Sequence, residues 1–260
     1  DDIYKVEYNP AGTRLLSVMA ANNETGAVQP VAALSQLAGE RGVLLHTDAA
    51  QAGGRIPLDV DRLGVDLLSL SGHKLHGPQG TGALYVRRGT RLAPRLFGGH
   101  QERELRPGTE SVAAIVGFGK ACELATSRLE VDAARVGDLR TAFEAEVARR
   151  IAGTEVNGAG APRLPNTSSL RFADIVGEEL VACLDAMGVA ASAGAACHSG
   201  AGAPSHVLAA MGCTPLQARS AVRFSFGRSN CREEVHRAAR LLAVAVARLR
   251  RHCPKERLGC

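Results

Sequence analysis

Three short apolar runs, each closing on a cluster of polar residues, constrain this chain more than any other feature. Arg14-Leu15-Leu16-Ser17-Val18-Met19-Ala20-Ala21 runs into Asn22-Asn23-Glu24-Thr25-Gly26 and reads as a buried strand. Val43-Leu44-Leu45-His46-Thr47 runs into Asp48, and Val65-Asp66-Leu67-Leu68-Ser69-Leu70 into Ser71-Gly72-His73-Lys74. Between the first two lies a helical pattern that Pro30 opens and Gly42 stops after Glu40. Gly82-Ala83-Leu84-Tyr85-Val86 is a fourth strand, entered from the turn Gly77-Pro78-Gln79-Gly80. Strands alternating with helices predict an α/β layer with a largely parallel sheet. Ligands bind such sheets beyond the carboxyl ends of the strands, so the polar clusters are where chemistry is expected.

The pattern changes after Pro107-Gly108-Thr109. Val112 to Arg149 carries apolar residues at helical spacing and reads as one long helix or two joined ones. A Gly/Pro-rich stretch from Asn157 to Pro165 leads to a strand at Leu170-Arg171-Phe172, then a helix over Glu178–Met187. A small-residue loop carrying Cys197 follows, and Ala221-Val222-Arg223-Phe224-Ser225-Phe226 alternates like a half-buried strand. Asn230, with Glu233 three residues on, opens a last helix whose stripe is Val235, Ala238, Leu242, Ala245 and Leu249. The expected division is a mostly parallel large domain over 1–126 and a smaller α+β domain over 127–260.

Composition narrows the function. With 45% hydrophobic and 22% charged residues the 260-residue chain is globular, and no apolar run approaches the ~20 residues of a membrane span. Seven cysteines without a CxxC pair argue for free thiols in a reducing compartment, hence the cytoplasm, and against a zinc ribbon or a disulfide framework. The opening Asp1-Asp2 is not a signal peptide, and the missing initiator Met suggests a fragment or a processed chain. The net charge of +5 is concentrated from Arg228 to Cys260, where nine Lys/Arg face three Asp/Glu; aromatics are 3% of the chain, with no Trp. A solvated helix face explains that charge better than a nucleic-acid surface.

Several residues carry chemistry in their own right. Lys74 sits at a strand mouth, where a lysine can form a Schiff base once its ammonium is destabilised. Asp48, one strand earlier, could hold a protonated pyridine nitrogen, although alone it reads as a helix cap. Gln51 and Asn23 share that rim and can each donate an amide hydrogen bond. Arg223, taken by itself, reads as an alternating strand residue facing solvent. Cys197 lies among small residues beside His198, conditions that favour exposure and reactivity over an inert buried thiol.

Taken together, Ala21-Asn22-Asn23-Glu24-Thr25-Gly26, His46-Thr47-Asp48-Ala49-Ala50-Gln51 and Ser71-Gly72-His73-Lys74 resemble successive motifs of the pyridoxal-phosphate-dependent cysteine desulfurases and selenocysteine lyases. These are fold-type-I enzymes of the class V aminotransferase group. Leu96-Phe97-Gly98-Gly99 through Arg106-Pro107-Gly108-Thr109-Glu110, and Arg223-Phe224-Ser225-Phe226-Gly227-Arg228, continue the likeness over essentially the whole chain. The resemblance implies that Lys74 bonds the aldehyde of pyridoxal 5'-phosphate and moves the substrate α-proton. It implies that Asp48 pairs with the ring nitrogen, Gln51 with the phenolic oxygen, and that Asn23 lies against cofactor and substrate. Ser71 and His73 would bind the cofactor phosphate, and Thr109 the phosphate of a neighbouring subunit, which implies a homodimer. Arg223 would hold the substrate carboxylate. Cys197 would either attack the leaving chalcogen or donate a proton to it.

Gly194-Ala195-Ala196-Cys197-His198-Ser199 and Gln101-Glu102-Arg103 look more like the lyase than the desulfurase. The expected reaction is therefore decomposition of L-selenocysteine to L-alanine and reduced selenium, passed to a selenium-accepting protein. The alternative is a cysteine desulfurase acting on L-cysteine through a Cys197 persulfide. Family members also carry an N-terminal stretch with a phosphate-capping Thr loop and a ring-stacking His, which this sequence is expected to lack. A second alternative is thus an inactive fragment that serves as a dimerisation module.

Overall fold

A computed structural model describes residues 12–194 and 204–252. They divide into two compact units. One holds the described residues of 12–21 and Gln29–Leu129; the other holds Asn22–Val28 and the described part of Glu130–Cys260.

In the first unit β1 (Leu15–Met19), β2 (Leu44–Asp48), β3 (Leu67–Ser71) and β4 (Gly82–Val86) form one sheet in chain order. The first three strands are parallel, and β4 returns antiparallel to β3, a mixed and mostly parallel sheet. Helix α1 (Val31–Gly39) crosses from β1 to β2 with Val31, Leu34 and Ala38 buried, and Gly42 at φ +64° makes the turn back. The short α2 (Val60–Leu63) is capped by Asp59, whose side chain accepts from the Asp61 and Arg62 amides. Leu45, Val65, Leu67 and Leu68 are buried. β1 is not the fully buried strand its apolar run suggests: Leu15 is 48% and Met19 38% exposed. Alternation along β1 turns Leu15, Ser17 and Met19 to its more exposed face, with Leu16 and Val18 half-buried on the other.

The helical stretch after Thr109 is two helices, α3 (Val112–Ser127) and α4 (Leu129–Arg150). The second unit builds an antiparallel sheet in the order β5 (Thr154–Val156), β6 (Thr167–Phe172), β8 (Ala221–Ser225), β7 (Ser192–Ala193). Around it lie α4, α5 (Gly177–Asp185), α6 (His206–Ala210), α7 (Pro215–Arg219) and α8 (Arg232–His252). Thr214 and Gln217 close a capping box on α7. At α8 the cap sits one residue later than expected, because the Glu234 carboxylate, not Glu233, takes the Cys231 amide. The core joins Phe143, Leu170, Phe172, Leu180, Leu184, Val222, Phe224 and Leu242, with Phe143 packed 4.8 Å from the Phe224 ring.

Asn22–Val28 belongs to this unit through backbone pairing. Val28 N–H donates to the Pro162 carbonyl, Leu164 N–H to that of Gly26, and Ala27 bridges Arg163. Arg163 is clamped from behind by Glu144 of α4, two N–H groups meeting two carboxylate oxygens at 2.7 and 2.9 Å. Burial raises the Glu144 carboxyl, but Arg163 outweighs it and leaves the group below its ordinary value of 4.5. A carboxylate depressed in the folded state stabilises above its unfolded value and loses that contribution as pH falls through the folded one. Parent and Glu144→Gln should therefore differ by about 3 kcal/mol at neutral pH and converge below pH 4.5 in urea titrations. A gap independent of pH would remove the ion pair from this account.

Candidate active site

The sheet of the first unit aligns its carboxyl ends. Asp48 closes β2, and the backbone amide of the following Ala49 donates to Ser69 of the adjacent β3. The Asp48 carboxylate is held in a turn by the Ala50 amide at 2.9 Å. Two residues beyond Ser69, β3 ends at Ser71, and a 3₁₀ turn over Gly72–Leu75 presents His73 and Lys74. Ser71 Oγ and His73 Nδ1 lie 2.9 Å apart in one hydrogen bond. Leu75 packs beneath the turn against Phe118 and Ala121 of α3, and so fixes the segment from which Lys74 projects.

Arg55 ties these pieces together. Its Nη1 donates to the Gln51 carbonyl at 2.8 Å and its Nη2 to the Lys74 carbonyl at 3.2 Å. Burial pushes this guanidinium below its ordinary value, the cost of bringing a cation beneath the rim. Sequence reading missed Arg55 because an arginine after two glycines looks like a surface turn. His46 was also missed as a participant. Its two ring nitrogens link Ser17 Oγ at 2.7 Å and Ser69 Oγ at 2.8 Å, joining three neighbouring strands on the Asp48 side of the sheet.

Gly72 allows the turn. A Cβ there would stand 2.3 Å from Thr81 Oγ1 and 3.1 Å from the Pro78 carbonyl oxygen. The Thr81 hydroxyl is already committed to that carbonyl at 2.7 Å, so little can give. Gly72→Ala should cost about 1–3 kcal/mol in urea unfolding, and adding Thr81→Ala should recover part of it. An unshifted midpoint in the single variant would refute the clash.

The other expected residues divide as follows. Thr109 is exposed in the loop before α3, without a hydrogen bond to the Asp48–Lys74 rim among the described residues. Asn23 and Arg223 meet in the second unit, where Arg223 Nη1 donates to the Asn23 carbonyl at 2.8 Å. Arg223 Nε is buried without a partner among the described residues. Cys197 lies outside the described residues. Of the other cysteines, Cys122, Cys183 and Cys213 are half-buried and Cys231 is exposed, all free, and burial raises the Cys122 thiol.

A sequence profile of the aminotransferase class-V family matches residues 7–238. The chain belongs to that family. A cysteine desulfurase of Gluconacetobacter diazotrophicus is 46% identical over 253 residues, covering 97% of this chain and 63% of the relative. Cysteine desulfurase NifS of Azotobacter vinelandii is 45% identical over 240 residues, with 92% and 60% covered. A NifS-like protein of Rickettsia africae superposes with a TM-score of 0.81 at 29% identity, over 91% of this chain and 62% of that one. The chain thus spans less than two thirds of the length of the relatives it matches. The relatives are named as desulfurases, so the likeness to selenocysteine lyase finds no counterpart among them. Its cofactor is pyridoxal 5'-phosphate. The donor set fits that group: an amine and a carboxylate after neighbouring parallel strands, with an amide, a hydroxyl and an imidazole beside them. No helix of the described residues is long and apolar enough to cross a membrane.

Proposed function

We propose that this protein is a cysteine desulfurase, converting L-cysteine to L-alanine and leaving the sulfur as a persulfide on Cys197. The observation that carries the reading is the placement of Asp48 at the end of β2 and of Lys74 in the turn just past the adjacent parallel β3, in a chain 46% identical to a named desulfurase. Pyridoxal phosphate supplies an electron sink for the charge left at the substrate α-carbon. Asp48 holds the proton on the ring nitrogen that keeps that sink effective, and Gln51 orients the ring through its phenolic oxygen. Ser71 and His73 hold the phosphate, with Thr109 serving a second subunit of a homodimer. Lys74 Nζ bonds the cofactor at rest and carries the α-proton during turnover. Arg223 takes the substrate carboxylate through the guanidinium edge whose Nε lacks a partner, while its Nη1 keeps Asn23 in place.

Atoms and electrons balance without an external reductant. The substrate C–S bond breaks, Cβ gains a proton and two electrons, and a new S–S bond forms at Cys197, oxidising the sulfur pair by two. The persulfide then passes to an acceptor protein, and a reducing cytoplasmic setting keeps Cys197 ready as a thiol. A second reading, selenocysteine lyase, rests on Gly194-Ala195-Ala196-Cys197-His198-Ser199. Alanine release by the intact protein from L-cysteine and from L-selenocysteine decides between them. Efficient release from cysteine with a persulfide at Cys197 supports the proposal; release from selenocysteine alone overturns it.

A further inference from the structure

Glu24 is a buried carboxylate for which the mechanism above has no use. It is 3% exposed, and a carboxylate so placed needs a partner. That partner is distant in sequence: Ser205 Oγ donates to Glu24 Oε2 at 2.6 Å. The same Ser205 oxygen accepts the Leu208 amide and thereby caps α6. Ser205 follows Cys197 by a short stretch of chain. The residue next to Glu24 is Asn23, whose carbonyl Arg223 grips.

The loop bearing both contacts is stiff. Asn22 Oδ1 accepts from the Glu24 and Thr25 amides, both at 2.9 Å, and from Thr25 Oγ1 at 3.2 Å. Gly26, at φ +76°, leaves no space for a side chain, since a Cβ would stand 2.9 Å from Thr167 Cβ. Adjacent residues of one rigid loop therefore hold the arginine assigned to the substrate carboxylate and the helix start beyond Cys197.

We propose that Glu24 is a positioning residue for sulfur transfer: its carboxylate fixes Ser205, and so ties the start of α6, which follows Cys197 in sequence, to the loop that Arg223 holds at Asn23. The role rests on the desulfurase reading. It predicts an effect on the step that moves sulfur and little effect on amino-acid binding, because Arg223 keeps its own contact with Asn23. Misplacement by about an ångström is enough to slow such a step substantially.

The test uses the intact, cofactor-loaded protein with E24A, E24Q, S205D and the E24Q/S205D pair. Single-turnover alanine release from L-cysteine is measured beside the dissociation constant of L-alanine and the melting temperature. Asp at 205 still caps a helix but cannot donate to Glu24, so S205D removes the contact and keeps the cap. We expect E24A and S205D to slow release about tenfold while L-alanine affinity stays within about twofold. E24Q should lose less than E24A, because its amide oxygen still accepts from Ser205. E24Q/S205D should regain rate over S205D, because the amide N–H now donates to the new carboxylate. Should E24A fail to fold, S205D and its pairing with E24Q decide alone. Parental rates in S205D, no recovery in the pair, or alanine affinity lost in step with rate would each overturn the role. An intact protein that releases no alanine from L-cysteine overturns the desulfurase reading instead.

Discussion

Lys74→Ala is expected to lower alanine release from L-cysteine by about 10⁴-fold and to abolish covalent retention of the cofactor. The size of the effect follows from two tasks resting on one amine. On the proposed reading, Lys74 anchors the cofactor at rest and the same nitrogen carries the α-proton. Its turn is set by Ser71 at the end of β3, by Leu75 against Phe118, and by the Arg55 contact with its carbonyl. Among the described residues the one other lysine, Lys120, is an exposed α3 residue paired with Glu123. Borohydride reduction followed by peptide mass mapping checks the assignment. The mass increment should fall on the peptide holding Lys74; an increment on another lysine, or a variant keeping a hundredth of parental turnover, would refute it. A parent protein that retains no cofactor would favour the non-catalytic dimerisation module.

Cys197→Ser carries the second large effect and separates the two chalcogens. With L-cysteine, turnover should fall on the order of 10³-fold, because a hydroxyl at this position neither attacks sulfur nor stores it. With L-selenocysteine the loss should stay below about tenfold, since a selenol is more acidic and more polarisable than a thiol and departs with less help. Both rates come from one alanine assay on one protein preparation. Equal losses with the two substrates would show that Cys197 performs the same step for each. An unaffected cysteine rate would remove Cys197 from the reaction and the persulfide with it.

The strand-and-cluster pattern made much of the first unit legible. Each of the three apolar runs is a strand, and Asp48 closing β2 and Lys74 just past β3 lie toward one edge because a parallel sheet points all its carboxyl ends one way. The stripe of the last helix was also readable, with Val235, Leu242 and Ala245 buried, although its cap had shifted to Glu234. Local pattern carries no information about partners far along the chain, and the misses follow from that. The exposure of one face of β1 depends on what covers a sheet, not on how apolar Leu15 and Met19 are. Arg55 looked like a surface turn until its two carbonyl acceptors were brought beside it. Glu24 stood in a motif read for its asparagines, and its partner Ser205 is 181 residues away.

The excursion of Asn22–Val28 into the second unit has a consequence for how this chain can be cut, copied or recombined. A junction placed at Leu129 would look like a natural seam, yet it would strand those seven residues on the wrong side of it. Among the described residues the polypeptide passes from one unit to the other three times, so neither contiguous half is a heritable module. Chimaeras with a relative should tolerate exchange only when the Asn22–Val28 donor matches the donor of the C-terminal half.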